Sequence, residues 1–360
     1  MKLLAITGSS GGHIFPALGF LDALNERGTG AQILLILPRD NSGGRIRDLE
    51  YKIDYIHASS VKFSLSPRGL GSMFKFLRGT LESIIILFRF RPEVVVGFGS
   101  IISIPMVLFA RMMGIKVVIH EQNLIPGRAN RFLARFADRI AVSFPESSAY
   151  LKAYNRKLVF TGNPVRKGLS RIDKDKALDF FGLDSGKFTI LVMGGSQGSE
   201  SVNSAFLKAA STIKERQRFQ VIHLAGSRHS ASLEDNYKEL KIPFRLFDFL
   251  EPMQYAYSAC DLVVSRAGAT AISEIVFYGL PAILIPYPFA YEHQAANAGV
   301  LQKRGSAAII QDTPLAGGIL AKNIESFIKG ASRAKAITPD EDALGPTAAD
   351  RLAEAVLSLN

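Results

Sequence analysis

Cysteine is nearly absent from this 360-residue chain, Cys260 being the single example. That excludes a disulfide framework and a thiolate metal cluster. Cys260 sits at an apolar helix-to-strand junction and reads as a small buried hydrophobe. Long apolar runs are missing too, and no stretch approaches the length needed to span a bilayer. The apolar opening, Met1 to Ile6, stops at Thr7-Gly8, too short for a secretory signal and suited to a first β-strand. The chain is therefore expected in the cytosol. Short-period repeats are absent. Acidic residues are scarce in one half only. Residues 1–162 hold 21 Lys and Arg against 11 Asp and Glu, whereas residues 163–360 hold 22 against 21. A one-sign field confined to the first half implies an anionic partner there, such as a nucleic acid, acidic lipid headgroups or a phosphorylated substrate.

What is present is an ample core. Hydrophobic residues make up 48% of the chain, and its length suits two domains. The pattern alternates strands and helices, the signature of a parallel α/β sheet. Strands are predicted at 2–7, 31–37, 93–97, 116–119, 138–142 and 157–160, with helices near 14–27, 72–88, 104–113, 127–136 and 146–152. Thr161-Gly162-Asn163-Pro164 is turn chemistry and is read as the hinge. The second half predicts strands at 188–193, 219–224, 244–247, 261–264, 281–285 and 306–309, with helices between. The expected domains are 1–162 and 163–346. A final helix in 347–360 is expected to pack back on the first domain, after a polar 331–346 segment.

Each half opens alike. Leu3–Ile6 runs into Thr7-Gly8-Ser9-Ser10-Gly11-Gly12-His13, and Ile190–Met193 into Gly194-Gly195-Ser196-Gln197-Gly198-Ser199. Neither loop fits G-x-G-x-x-G or the Walker A pattern. Both still offer glycines for close backbone approach and hydroxyls at a helix N-terminus, as phosphate binding needs. Ordinary α/β turns look similar, and the matched pair is what points to ligand. His13 heads its helix, where it can act as a general base or hold the turn or a phosphate. Gly97-Phe98-Gly99-Ser100 and His120-Glu121-Gln122-Asn123 end further strands, positions that favour a site over core. Adjacent His120 and Glu121 point to opposite faces of an extended chain, so no metal is expected. Arg166, past the hinge, can reach a diphosphate. In the second half, Asp261 to Leu301 reads strand, small-residue turn, helix, strand, Pro/aromatic loop, helix, and carries two strand-end loops sized for a nucleotide.

The stretch 62–91 carries Lys62, Arg68, Lys75, Arg78, Arg89 and Arg91 against one acid, Glu82. Met73, Leu77, Leu81, Ile84 and Phe88 form a stripe at helical spacing. Phe74, Phe76, Ile85, Ile86 and Leu87 lie off it, so the helix is apolar over more than one face. A core helix with a basic rim gives a similar stripe. The extra apolar face, next to the 64–71 loop, favours contact with a membrane surface.

Taken in order, the motifs resemble those of the MurG family of N-acetylglucosaminyltransferases. They are Gly11-Gly12-His13 with Pro16, His120-Glu121-Gln122-Asn123, Gly162-Asn163-Pro164-Val165-Arg166, Gly194-Gly195-Ser196-Gln197-Gly198, Ser265-Arg266-Ala267-Gly268-Ala269 with Ser273-Glu274, and Glu292-His293-Gln294 with Asn297-Ala298. Together they span essentially the whole chain. The resemblance implies a GT-B fold, two Rossmann-like domains with the active site in the cleft between them. It implies UDP-N-acetylglucosamine bound by the C-terminal domain, and undecaprenyl-diphospho-N-acetylmuramoyl-pentapeptide (lipid I) bound by the N-terminal one. The enzyme would sit peripherally on the cytoplasmic face of an anionic membrane. Transfer would be inverting and β-1,4, with no metal and no cofactor.

Roles carry over residue by residue. The resemblance gives Ser10, Gly11 and Gly12 to phosphate binding, His13 to the base, and Asn123 to the sugar end. Ser196, Gly268, Ala269 and Thr270 meet the donor diphosphate, with Arg166 neutralising it as it leaves. Leu250 offers backbone groups to uracil, Glu274 accepts from the ribose hydroxyls, and Gln294 and Asn297 read the sugar or phosphate side. Three positions depart from the family pattern. Ser9-Ser10 replace Gly-Thr in the first loop, Ser100-Ile101 replace Gly-Tyr in the third, and Ala271 stands where a threonine is common. Rival readings are another UDP-sugar enzyme, such as a UDP-N-acetylglucosamine 2-epimerase or glycolipid transferase, and a non-catalytic nucleotide or nucleic-acid binder. The basic excess accompanies an apolar helix rather than interleaved aromatics, which argues against nucleic acid.

Overall fold

The computed structural model describes all residues except 40–50, 58–66, 228–229, 291, 331–346 and 360. Lys62, residues 64–66 of the expected 64–71 loop and the expected 331–346 segment lie outside the described residues, while residues 67–71 of that loop begin a helix instead. The chain divides into two compact units. One runs from Met1 to Lys167 and takes in the C-terminal helix; the other opens at Gly168. The division thus falls a few residues past the Thr161–Pro164 turn.

The first unit is built on strands β1 (Lys2–Ile6), β2 (Gln32–Pro38), β3 (Lys52–Ile56), β4 (Val94–Gly97), β5 (Lys116–Glu121), β6 (Arg139–Val142) and β7 (Leu158–Phe160). They pair in parallel in the order β3-β2-β1-β4-β5-β6-β7. Its helices are α1 (Gly11–Glu26), α2 (Pro67–Phe90), α3 (Ser103–Met112) and α4 (Arg128–Leu133). The second unit holds helices α5 (Lys174–Phe181), α6 (Glu200–Thr212), α7 (Ser230–Leu240), α8 (Met253–Ala259), α9 (Ala269–Tyr278), α10 (His293–Lys303) and α11 (Ala316–Ile328). Its strands are β8 (Phe188–Met193), β9 (Phe219–Leu224), β10 (Phe244–Phe247), β11 (Leu262–Ser265), β12 (Ala282–Leu284) and β13 (Ala307–Ile309), ordered β10-β9-β8-β11-β12-β13. The last helix, α12 (Thr347–Leu357), returns to the first unit and packs on α1. Both sheets wind outward in both directions from a first strand, as a doubly wound sheet does.

The apolar runs in the sequence are strands covered on both faces. In the first unit Leu4, Ile6, Leu34, Ile36, Val95, Val117 and Ile119 face one core, which α2 and α3 complete with Ile86, Leu87, Met106 and Val107. Their neighbours Leu3, Ala5, Leu35, Leu37, Val94, Val96 and Val118 face the other, closed by Phe20, Leu21 and Leu24 of α1 and by Leu352, Ala353 and Val356 of α12. In the second unit Ile190, Val192, Val221, Leu262, Val264 and Ile283 pack under α6, α7 and α11. Cys260 is buried as well, its thiol pushed well above the ordinary range by desolvation.

Two further expectations change. Strand β3 was not foreseen, because of its residues only Ile56 is buried and its pattern is that of a sheet edge. The helix expected at 146–152 is instead a pair of 3₁₀ turns, Pro145–Tyr150 and Lys152–Lys157.

His223 lies on β9 inside the second core. Its Nδ1 is 2.7 Å from the Tyr237 hydroxyl and its Nε2 is 3.0 Å from Asn203 Oδ1. Burial lowers its pKa to about 3, so the folded ring stays neutral. The unfolded ring protonates near pH 6.5. The unfolded state therefore binds the extra proton between those values, and stability falls as pH drops below about 6.5. Replacing the ring by His223→Gln should shrink the loss of stability between pH 7 and pH 5 by about 2 kcal/mol. Denaturant titration at the two pH values measures this; an unchanged loss would show that other groups carry the acid sensitivity.

Candidate functional site

In an open parallel sheet, ligands bind at the carboxyl ends of the strands, where the winding reverses. That point lies between β1 and β4 in the first unit and between β8 and β11 in the second. Four of the loops singled out from the sequence follow these four strands, so each unit carries a candidate site at its own switch point; His120–Asn123 ends the next strand, β5, and the Pro/aromatic loop follows β12.

In the first unit the β1 loop ends at Ser10, the extended N-cap residue of α1, whose hydroxyl makes no cap bond among the described residues. Gly11, Gly12 and His13 form the first turn. Two glycines hold the His13 ring between the β1 and β4 loops. A Cβ on Gly8 would fall 2.9 Å from His13 Cδ2 and 2.8 Å from Ser100 Cβ, and one on Gly99 would lie 3.3 Å from His13 Cε1. His13 Nδ1 is 3.2 Å from Gln122 Oε1. Burial lowers the His13 pKa, with the charge of Glu121 the largest opposing influence.

Glu121 itself is buried and committed to protein donors. Its carboxylate accepts from Asn123 N at 2.9 Å, Asn123 Nδ2 at 3.3 Å, Gly127 N at 3.0 Å and Asn130 Nδ2 at 2.8 Å. The carboxylate thus shapes the loop that carries Asn123. Arg166 belongs to this unit as well. Its guanidinium stacks 4.0 Å over the ring of Phe15, two residues beyond His13 on α1. The close approach depends on Gly19, where a Cβ would fall 2.2 Å from Val165 O. This brings Ser10, Gly11, Gly12, His13 and Arg166 to one helix head.

In the second unit the β8 loop folds back on itself. A Cβ on Gly194 would meet Ser199 N at 2.2 Å, and one on Gly198 would meet Ala225 O at 2.3 Å. Ser196 lies in this loop, partly exposed. Helix α9 starts after Gly268, where a Cβ would meet nothing within 4 Å, so the space over its head is open. Ala269 and Thr270 are buried in the first turn, and Ala271 takes the more open position. Gln294 Oε1 accepts from both Ala267 N (3.2 Å) and Tyr287 N (2.9 Å). Two converging N–H donors fix that atom as the oxygen, so Gln294 turns its amide Nε2 the other way. Asn297 is fully buried and donates to Ala267 O at 3.4 Å, supporting the loop from beneath. Glu274 accepts from the buried Tyr257 hydroxyl at 2.7 Å, and Tyr257 stacks on Tyr278. Leu250 is buried just beyond β10.

Two organising residues had no individual role in the sequence reading. Arg266, nearly buried, joins four strand ends. It pairs with Asp312 at 2.8 Å, donates to Ser199 Oγ (2.9 Å) and Ser201 Oγ (2.6 Å), and donates to Ile285 O at 3.0 Å. Tyr257 orients Glu274. The only signal for Arg266 was a lone cation inside a small-residue turn; Tyr257 had none.

Comparison with known proteins agrees with this architecture. Residues 3–142 match the glycosyltransferase family 28 N-terminal domain, and residues 189–351 the glycosyltransferase family 28 C-terminal domain. The chain is 38% identical to a UDP-N-acetylglucosamine:N-acetylmuramyl-(pentapeptide) pyrophosphoryl-undecaprenol N-acetylglucosamine transferase of Halothermothrix orenii, over 96% of this chain and 95% of that protein. It is similar to the crystal structure of Acinetobacter baumannii MurG, with a TM-score of 0.74 and 25% identity over 99% of each chain. A UDP-GlcNAc 2-epimerase from Neisseria meningitidis, bound to UDP-GlcNAc, aligns over 100% of both chains at a TM-score of 0.69. Its identity is 14%, a likeness of fold.

Ser100 stands where the family motif has glycine, and its φ is +72°. A non-glycine residue in the left-handed region costs about 1–2 kcal/mol. Ser100→Gly should therefore raise stability by about 0.5–1 kcal/mol after the extra freedom of glycine in the unfolded chain is counted. The denaturation midpoint reads this; a lowered midpoint would mean that Ser100 contacts outweigh the strain.

Proposed function

The chain belongs to the family of UDP-N-acetylglucosamine:N-acetylmuramyl-(pentapeptide) pyrophosphoryl-undecaprenol N-acetylglucosamine transferases, and on that premise we propose that it moves N-acetylglucosamine from UDP-N-acetylglucosamine to undecaprenyl-diphospho-N-acetylmuramoyl-pentapeptide. The observation that carries the proposal is that both switch points are built alike, each from a glycine-rich loop and a helix head. The epimerase reading rests on a likeness of fold at 14% identity, against 38% identity to the transferase of Halothermothrix orenii.

The second unit supplies the donor half-site. The α9 head after Gly268 and the Ser196 loop suit the diphosphate, because the N–H groups of a helix's first turn and the helix dipole favour anions. Glu274, held by Tyr257, suits the ribose diol. Leu250 suits the uracil edge through its backbone. The outward Nε2 of Gln294 can donate to a sugar or phosphate oxygen. The first unit supplies the acceptor half-site, with Ser10, Gly11 and Gly12 for phosphate and Asn123 for the sugar.

His13 accepts the proton of the acceptor hydroxyl as that oxygen attacks the anomeric carbon. The bond from that carbon to the diphosphate oxygen breaks on the opposite face, and UDP leaves with the electron pair. Configuration inverts. Arg166 and the loop N–H groups meet the charge that develops on UDP, the electrostatic part of the acceleration.

A membrane surface is the proposed partner of the first unit, on its cytoplasmic side. Along α2, Phe74, Leu77, Leu81, Ile85 and Phe88 are each more than half exposed, with Lys75, Arg78 and Arg89 beside them. Ile86 and Leu87 face the core instead. Met73 and Ile84 of the predicted stripe are half-buried, so the exposed face is centred one residue further round than the spacing implied. Among the described residues no helix is long and apolar enough to cross a membrane. An exposed apolar stripe edged by cations fits the headgroup boundary of an anionic bilayer.

Two measurements test the proposal. In a transfer assay with UDP-N-acetylglucosamine and a short-chain lipid I analogue, His13→Gln should lower kcat about 10²–10⁴-fold, while UDP affinity by calorimetry stays within about twofold. Because burial lowers the His13 pKa, the wild-type rate should fall with acid only below about pH 6.5. Wild-type turnover in His13→Gln would remove it as the base, and no transfer by the wild-type chain would overturn the proposal. Replacing Phe74, Leu81 and Phe88 together by Ser should release the protein from phosphatidylglycerol vesicles without lowering its unfolding midpoint. Undiminished vesicle binding would refute contact through α2.

A further inference from the structure

Gln122 and His120 take no part in the transfer steps above, yet a hydrogen-bonded chain joins them to His13. The backbone fixes the direction of that chain. One end of the Gln122 amide lies 3.2 Å from Phe98 O and 3.2 Å from His120 O. Two carbonyl oxygens can be answered only by a donor, so that atom is Nε2 and the opposite one is Oε1. Oε1 only accepts, and His13 Nδ1 lies 3.2 Å from it, so Nδ1 carries the proton. A neutral imidazole has one N–H, and Nε2 is left bare.

The other end is fixed in the same way. His120 Nε2 lies 3.0 Å from Gly162 O and must donate, which leaves its Nδ1 to face Gln122 Nε2 at 3.1 Å as an acceptor. His120 is fully buried, and that burial lowers its pKa to about 4, so it keeps a single proton at neutral pH.

We infer that Gln122 is a positioning residue that fixes the tautomer of His13, holding the proton on Nδ1 and the lone pair on Nε2, with the Gly162 carbonyl as the far anchor. The inference deepens the proposed role of His13 and rests on it. When the acceptor hydroxyl gives its proton to Nε2, the ring becomes an imidazolium whose Nδ1–H already points at the negative end of the Gln122 carbonyl. No second proton has to move. With the opposite tautomer, Nε2 would present a hydrogen where a base is needed.

The tautomer can be observed directly. Two-bond ¹H–¹⁵N correlation spectra of imidazole-labelled protein at pH 8, assigned with His13→Gln, should show His13 in the Nδ1–H form. Gln122→Met, close in size but without an acceptor at that position, should shift His13 toward the Nε2–H form and lower kcat about 10–100-fold with UDP affinity within about twofold. Wild-type His13 in the Nε2–H form would overturn the inference, and this reading needs no variant to fold. A loss of kcat in Gln122→Met with the tautomer unchanged would reduce Gln122 to a packing role and also overturn it. A shifted tautomer with unchanged kcat would uphold the assignment and instead remove His13 as the base.

Discussion

Winding reverses between β1 and β4, and again between β8 and β11. At those two places neighbouring strands send their following helices to opposite faces, so no crossover covers the strand ends. The loops there must approach one another without side chains in the way. Hence glycines gather at Gly8, Gly99, Gly194 and Gly198, where an added Cβ would strike a neighbouring loop or ring. Ligand contact and loop packing make the same demand for a bare backbone.

The two switch points solve the ordering problem with groups of opposite charge. In the second unit a buried cation, Arg266, collects carbonyls, hydroxyls and one carboxylate from three strand ends besides its own. In the first a buried anion, Glu121, collects backbone and amide N–H groups from the loop that follows it. Each organiser is paired or hydrogen-bonded by several protein groups, the condition under which a buried charge can be kept. At both places a neighbouring amide, Gln122 or Gln294, is locked end for end by backbone groups. What the sites present outward is therefore decided by contacts behind them.

How much of this was legible depended on whether the cause was local. Strands buried on both faces read as apolar runs, and Gly-rich turns after them marked the strand ends correctly. Strand β3 escaped because an edge strand with one buried residue leaves no periodic trace. The phase of α2 was misjudged because both its faces are apolar: Ile86 and Leu87 serve the core while Phe74 and Phe88 do not. The loops at the two switch points, and His13 in one of them, stood out by their composition. Arg266 and Tyr257 were not, since their meaning lies in Asp312 and Glu274, partners that only folding brings near. The direction of the His13 bond was beyond reach for the same reason, being set through Gln122 by the carbonyls of Phe98 and His120.

The return of α12 to the first unit bears on how the protein is made. Leu352, Ala353 and Val356 close one face of the first sheet over α1, and Arg27 reaches Asp350 and Glu354 across the same contact. During synthesis that face stays open until the last helix leaves the ribosome, long after every strand of its sheet has emerged. The second unit, whose sheet and helices are encoded without interruption, has all its parts earlier. The half that is translated first is thus the half completed last, and for that interval the apolar side of α1 and its strands is a surface for chaperones to guard.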